Sequence, residues 1–342
     1  MFWITGGTGF FLAVAGVAAP GLTQFLRVQF DHAGWNGFTF YDLIFPLFIF
    51  ISGLSIPFSI TRRLERGEDK ATLYKHLAVR TAVLVLLGML HNGPHLVPFG
   101  IRITGVLQRI AICSGVASVI AMNSRVRTQA YVVGGILLGY WALLAFTPVP
   151  HFAAGDYSAA GNLAGYVDRL LLPFPRTWCC YPFGDSEGIV STLPAVATAL
   201  LGVLAGHLLR ADVRPIDRVW WLLVAGAACV VAGLAWDVVF PINKELWTSS
   251  YVLYAGGWSL LLLAAAYWTL DVKGLVGWSF LFRVIGANAI VMYFLESVLR
   301  FGFLKGMLGA SAGFGLLIAS LDLFVRWGLV YALYRKRWFF KV

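Results

Sequence analysis

Ten long apolar stretches organise the chain, at 2–19, 43–61, 77–92, 104–122, 129–147, 189–209, 219–239, 250–269, 279–299 and 312–334. Crossing a bilayer takes about 20 mainly apolar residues in a helix. The reading is therefore an all-α, polytopic membrane helix bundle of about ten transmembrane helices, one domain over residues 1–342. Composition agrees. Apolar residues make up 59% of the chain and charged residues 12%, against ~45–50% and ~25% in soluble domains. That excludes an ordinary cytosolic domain, and disorder, which needs low hydrophobicity. Thirteen Trp and 26 Phe suit aromatic membrane interfaces. The first stretch begins at Met1 with no basic segment and no small-residue cleavage site, and reads as a retained helix.

The net charge of +10 resolves by side. Of 26 Lys and Arg, the loops after the second, fourth, sixth and eighth stretches and the C-terminal end carry 17. The opposite loops carry Arg27, Arg102, Arg169, Arg176, Lys244, Arg300 and Lys305, and Arg109 and Arg326 lie within stretches. The positive-inside rule then places both termini in the cytoplasm. The basic balance describes a membrane face, with no nucleic-acid partner implied. Loops 20–42, 148–188 and 240–249 fall outside, and the second is long enough to be an ordered functional lid.

Gly135-x-x-x-Gly139 and Gly202-x-x-x-Gly206 read as close helix packing. Cys113 and Cys229 read as small core residues. Adjacent Cys179 and Cys180, in a loop, are the pair to weigh for redox chemistry. The chain has no P-loop string, no His-Glu-x-x-His and no Cys-x-x-Cys, so neither ATP nor metal chemistry has a motif.

Polar residues concentrate at the external ends. The segment before the second stretch reads Asp31-His32-Ala33-Gly34-Trp35-Asn36-Gly37-Phe38-Thr39-Phe40-Tyr41-Asp42. His32 is open between a structural role and proton transfer near neutral pH. Asn36 is an amide donor beside it in sequence. Asp42 serves a helix N-terminus or the site equally well. Gln108, Arg109, Asn288 and Glu296 lie within stretches, where polar groups normally pair or line a cavity. Arg109 with an acid such as Glu296 is open between a brace and a substrate contact. Asp322 and Arg326, spaced i,i+4, read as a structural pair. Asp185 and Glu187, and Asn243, Lys244 and Trp247, stand before helix starts, with Trp247 expected at the membrane interface.

In order and spacing these strings match a family. Asp31-His32-Ala33-x-Trp35-Asn36-Gly37, continuing to Asp42-Leu43-Ile44-Phe45-Pro46, resembles the heparan-α-glucosaminide N-acetyltransferase family and its bacterial relatives. Gly105-Val106-Leu107-Gln108-Arg109-Ile110, Glu187-Gly188 with Ser191-Thr192-Leu193-Pro194, Pro241-Ile242-Asn243-Lys244, and Gly286-x-Asn288 with Tyr293 and Glu296 extend the likeness over nearly the whole chain. The resemblance implies acetyl transfer from cytosolic acetyl-CoA to an amino sugar on the external side, with no metal. It puts the active histidine on His32, as general base or acetyl carrier. Asp31 or Asp42 would orient it. Asn36, Asn243 and Lys244 would donate to the oxyanion, and Trp35, Gln108, Arg109, Glu187, Asn288 and Glu296 would contact substrate. Arg80 and Arg283 are open between CoA phosphate contacts and positive-inside anchors. Many relatives carry an Asn near the first span; residues 3–9 hold none, so the acceptor is expected to differ or another donor to have taken over. An O-acyltransferase of surface or cell-wall polysaccharide and a non-enzymatic sugar transporter are the competing functions. The expected location is a bacterial inner membrane, with a second copy of the chain as a further partner.

Overall fold

The structure is a computed structural model describing residues 1–91, 102–172, 183–299 and 312–340. Among these every regular element is helical. In chain order the helices are α1 (Thr8–Ala18, entered through a π-helical turn, Trp3–Gly7), α2 (Pro20–Gln29), α3 (Phe40–Leu54), α4 (Ile60–Glu65) and α5 (Lys70–His91). Then come α6 (Val106–Asn123), α7 (Val126–Phe146), α8 (Leu163–Leu171), α9 (Thr192–Arg210) and α10 (Pro215–Asp237). The last are α11 (Ser249–Tyr267, continued by a π turn, Trp268–Val272), α12 (Phe280–Ala287), α13 (Ala289–Val298) and α14 (Ala312–Arg335). Cys179, Cys180 and much of the predicted 148–188 loop lie outside the described residues.

Seven helices are long and apolar enough to cross a membrane: α5, α6, α7, α9, α10, α11 with its π turn, and α14. The bent pair α12–α13 makes an eighth. The other two predicted stretches fold as shorter apolar helices, Trp3–Ala18 and Phe40–Leu54. At 15 residues α3 is about 22 Å long, less than the hydrocarbon thickness. It stops because Ser52, Ser55 and Ser59 turn their hydroxyls onto the carbonyls of Ile49, Ser52 and Ser55, and Pro57 follows. Such back-bonds compete with the helical ladder.

The chain divides into two compact units. The first comprises residues 1–32, 39–41 and 274–342. Its core is Val284, Ile285, Met292 and Val330, flanked by an aromatic group of Phe2, Trp3, Phe11, Phe30 and Phe40. Asp322 and Arg326 pair at 2.7 Å as expected, and Arg326 also donates to the Leu299 carbonyl.

The second unit comprises residues 33–38 and 42–273. Its largest core cluster draws on α3, α5, α6, α7, α9 and α11, with Ile49, Cys113, Ala197, Leu200 and Tyr251 inaccessible. Loops predicted on one side meet one another: the Trp35 indole donates to the Tyr157 carbonyl and Gly37 N–H to Ile242. Cation-rich loops likewise meet, through Arg210–Glu65 and Lys70–Asn123.

Glycine sets the tightest crossing here. A Cβ on Gly53 would sit 1.9 Å from the Ala199 carbonyl oxygen, and one on Gly202 2.0 Å from that of Phe50. A Cβ on Gly206 would fall 2.7 Å from the Leu54 carbonyl oxygen, looser but still closer than a Cβ is found. The small-residue reading of 202–206 therefore holds. It fails for Gly135 and Gly139, whose Cβ positions meet nothing within 4 Å, so that face of α7 is not a close helix contact among the described residues. Overpacking a tight site costs about 1–3 kcal/mol. Thermal unfolding in detergent should show a clear drop in Tm for Gly53→Ala, with no drop for Gly139→Ala. Equal Tm values in the two variants would contradict the crossing.

Candidate functional site

In the first unit, His32 is exposed on the segment after α2. Its ring lies 4.8 Å from that of Tyr41, and its backbone N–H donates to Asp31 Oδ1 at 2.8 Å. Thr39 Oγ1 donates to the Asp31 carbonyl at 2.6 Å, and Phe40 N–H to Gln29 Oε1. Asp31 thus shapes the turn that carries the histidine. Asn288 sits fully buried at the break between α12 and α13, a bend of 74°. Its Oδ1 accepts the Phe340 N–H, which makes it a joint in the helix pair. Glu296 is half-buried on α13. Arg283 is exposed beside Phe280.

In the second unit, the 240–249 loop organises the end that holds the other quoted residues. Asn243 donates both amide protons to this end, to the Trp35 carbonyl at 2.6 Å and Asn36 Oδ1 at 3.0 Å. Its Oδ1 accepts from Leu246 N–H. With both donors so engaged, Asn243 positions the 33–38 loop. Asp42 is 1% exposed; its carboxylate accepts the Ala33 N–H and faces Lys244 Nζ at 3.5 Å. Its carbonyl accepts from the Tyr251 hydroxyl. Thr248 caps α11 through Tyr251 N–H, so the expected capped entrance is present.

Trp247 corrects an expectation. It is 1% exposed and part of the core, not a membrane-interface anchor. Its φ of 52° is a rare conformation for a bulky residue. It is held there by an indole bond to Thr198 and by edge contacts with Phe45 and Tyr251. The ring lies under the Arg109 guanidinium, 5.0 Å from its centroid.

Arg109 is 1% exposed. Its Nη2 donates to Ser191 Oγ at 2.5 Å and the Gly188 carbonyl at 3.3 Å. Its Nε and Nη1 have no partner among the described residues. Gln108, equally buried, has neither amide atom partnered there, and Gly88 leaves room for it: a Cβ would fall 2.2 Å from Gln108 Oε1. Buried polar groups left open in this way ask for an occupant with hydrogen-bonding groups.

Arg102 joins two carboxylates. It bonds Asp185 through Nε and Nη2 at 3.2 and 2.8 Å, and Glu187 through Nη2 at 2.6 Å. Burial works to raise both acids. At Asp185, Arg102, the Thr104 hydroxyl and the Glu187 N–H override it and hold the carboxyl below its usual range. Glu187 stays raised: burial and the Asp185 charge outweigh the pull of Arg102, Arg109 and Lys244. Ser186 donates to Glu245, which links this segment to the 240–249 loop. The helix-dipole explanation of these acids gives way to an ion-pair network.

Asp168 was not read from the sequence. It lies on α8 at 3% exposure, one turn after buried Ala164. An acid at i,i+4 on the apolar face of a short amphipathic segment was the available signal. Its carboxylate accepts from Ile189 N–H at 3.0 Å and Asp185 N–H at 3.3 Å. A Cβ on residue 188 would lie 2.0 Å from its Oδ2, which explains glycine after Glu187. Arg80 is exposed on α5, with no ion pair among the described residues. No metal-holding group of His, Cys, Asp and Glu occurs among the described residues.

No family model matches the chain. The heparan-alpha-glucosaminide N-acetyltransferase of Mus musculus is 31% identical over 374 aligned residues, covering 92% of this chain and 56% of the relative. The Homo sapiens protein of the same name is 31% identical over 371, with the same coverage. Along 92% of its length the chain is similar to heparan-alpha-glucosaminide N-acetyltransferases, which supports the family resemblance of its motifs. It spans about half the length of the curated relatives it matches.

Burial lifts the Asp168 carboxyl to about 6, against its two N–H donors. An unfolded Asp titrates near 3.9. The folded state therefore binds more protons between these values, and stability contributed by Asp168 is full below about pH 4 and lost as pH rises through about 6. Tm in detergent should fall across that window, and Asp168→Asn should flatten that part of the slope. An unchanged slope in the variant would remove the assignment.

Proposed function

We propose that the chain is an integral membrane acetyltransferase that moves an acetyl group from acetyl-CoA to the amine of an amino sugar. The observation that carries this reading is the 31% identity, along 92% of the chain, to two N-acetyltransferases. The 17-to-seven partition of cations between alternate loops supports donor entry from the cytoplasmic side, both termini inside, and an acceptor on the far side. A bacterial cytoplasmic membrane is the proposed location.

The reaction forms a bond from the amine nitrogen to the thioester carbonyl carbon and breaks the carbon–sulfur bond. CoA leaves as a thiolate. The amine proton passes to the His32 imidazole and from there to the departing sulfur. The alternative order acetylates His32 first and the amine second. Arg109 Nε and Nη1 and the Gln108 amide supply unengaged donors for sugar or carbonyl oxygens. Trp247 offers Arg109 a low-dielectric ring face, which strengthens those bonds. Glu187, the more easily protonated acid of its pair, contacts acceptor hydroxyls. Asn36, Lys244 and Trp35 shape the acceptor loop that Asn243 holds. Arg80 and Arg283, both exposed, are assigned to the phosphates of CoA.

General base catalysis is worth about 10²–10⁴-fold. His32→Ala should therefore cut transfer of labelled acetyl from acetyl-CoA to glucosamine by about that factor while acetyl-CoA binding, read by calorimetry, persists. Full transfer in the variant excludes the assignment. Labelled acetyl-CoA mixed with enzyme alone should leave label on His32 if the two-step order operates. In an acceptor screen, activity on N-acetylated, hydroxyl-only sugars in place of amino sugars would favour O-acylation. Sugar flux without acetyl-CoA would favour transport.

A further inference from the structure

At the end of α11 remote from the 240–249 loop, the second unit holds a cavity of about 420 Å³. Its wall is largely apolar, with Phe58, Leu209 and Leu263, and carries three polar groups, Arg218, Tyr267 and Asp271. Arg218 is fixed by two neutral partners: Nη1 donates to the Tyr267 hydroxyl at 2.8 Å and Nη2 to the Ala211 carbonyl at 2.8 Å. Its Nε is buried and has no partner among the described residues. No described carboxylate forms an ion pair with it; the adjacent Asp217 pairs with Arg214. Asp271 lines the same cavity without pairing to Arg218 and stands in the π turn that ends α11. Single π turns concentrate at functional positions in helices.

A cation and an anion held apart on one apolar wall select a zwitterion joined to hydrocarbon. A bare phosphate would meet Arg218 but be repelled by Asp271, and would gain nothing from the leucines. Arg210, Arg214 and Lys273 stand at the same helix ends, and such cation-rich ends mark the headgroup level. We propose that this cavity binds a phospholipid with an ethanolamine-type headgroup. The phosphodiester accepts from Arg218 Nε and from the Tyr267 hydroxyl, the ammonium donates to Asp271, and the first methylenes lie on Phe58 and Leu263. The inference uses the second unit alone and stands apart from acetyl transfer.

The test uses the full chain, purified and stripped of lipid in detergent. Thermal unfolding is followed with added dioleoyl phosphatidylethanolamine, dioleoyl phosphatidylglycerol or soluble glycerophosphoethanolamine. The expected result is a saturable rise in Tm with phosphatidylethanolamine, an apparent affinity about tenfold weaker for phosphatidylglycerol, and no shift from the soluble headgroup. Asp271→Asn should bring the two lipids to within about twofold, and Arg218→Gln should weaken phosphatidylethanolamine by about tenfold. Because Arg218 also braces Tyr267, Leu263→Trp is the second variant. It fills the cavity from its wall and should abolish the lipid shift. Equal shifts from both lipids in the unmodified chain, a shift from the soluble headgroup alone, or an intact lipid shift in Leu263→Trp would each overturn the proposal.

Discussion

The crossing of α3 and α9 is the contact on which the loop end of the second unit depends. Side chains normally keep helix backbones 8–10 Å apart. Gly53, Gly202 and Gly206 remove them where the two helices meet, so carbonyl oxygens lie where Cβ atoms would be. Drawn in this way, α3 presents Asp42 to the interior at its first turn, and the short helix needs no solvent-facing start. The loop at 33–38 then lies within reach of Asn243, whose two N–H bonds hold it while its Oδ1 accepts from Leu246 in its own loop. A bulkier residue at 53 would displace the helix that carries Asp42 before it disturbed any polar contact directly.

Charge at that end follows from a shortage. One guanidinium, Arg102, serves two buried acids, and geometry gives Asp185 the bidentate bond. A second hydroxyl donor, Thr104, reinforces the choice. Glu187 is left with the weaker share, so burial decides its proton affinity. Asp168 adds a third acid beneath, with backbone N–H groups as donors. Two acids in neighbouring positions therefore differ in proton affinity because of their partners, the kind of arrangement by which protein sites separate acid and base roles.

The sequence showed the helices well and their lengths less well. Each apolar stretch coincides with a helix, since periodic burial in lipid leaves a composition signal too large to miss. The second stretch ran through Ser55–Ser59 because serine and proline there are apolar enough in context to pass, while their back-bonds end α3 locally. Small-residue spacing predicted close packing correctly at 202–206 and wrongly at 135–139, because spacing alone does not say whether a neighbouring helix faces the pair. Trp247 was misread because belt position is a matter of depth, and its depth is set by the positive-φ turn it occupies. Arg102 and Asp168 were missed for a related reason: each acts on residues more than 15 positions away, and no local pattern records that.

Satisfaction of hydrogen bonds sorts the quoted residues further than their types do. Asn243, Asp42, Asn288, Gln108 and Arg109 are all polar or charged, and all five are buried. Asn243 and Asp42 hold identified backbone groups of the chain, and Asn288 accepts the Phe340 N–H while its Nδ2 stays open among the described residues. Gln108 keeps its whole amide, and Arg109 two of its nitrogens, open among the described residues. An unsatisfied buried donor costs about 1–3 kcal/mol, more when charged. A fold carries that cost where something else completes the bond. Asn243 and Asp42 are therefore framework residues, and the adjacent pair at the start of α6 is the place proposed above for a polar substrate.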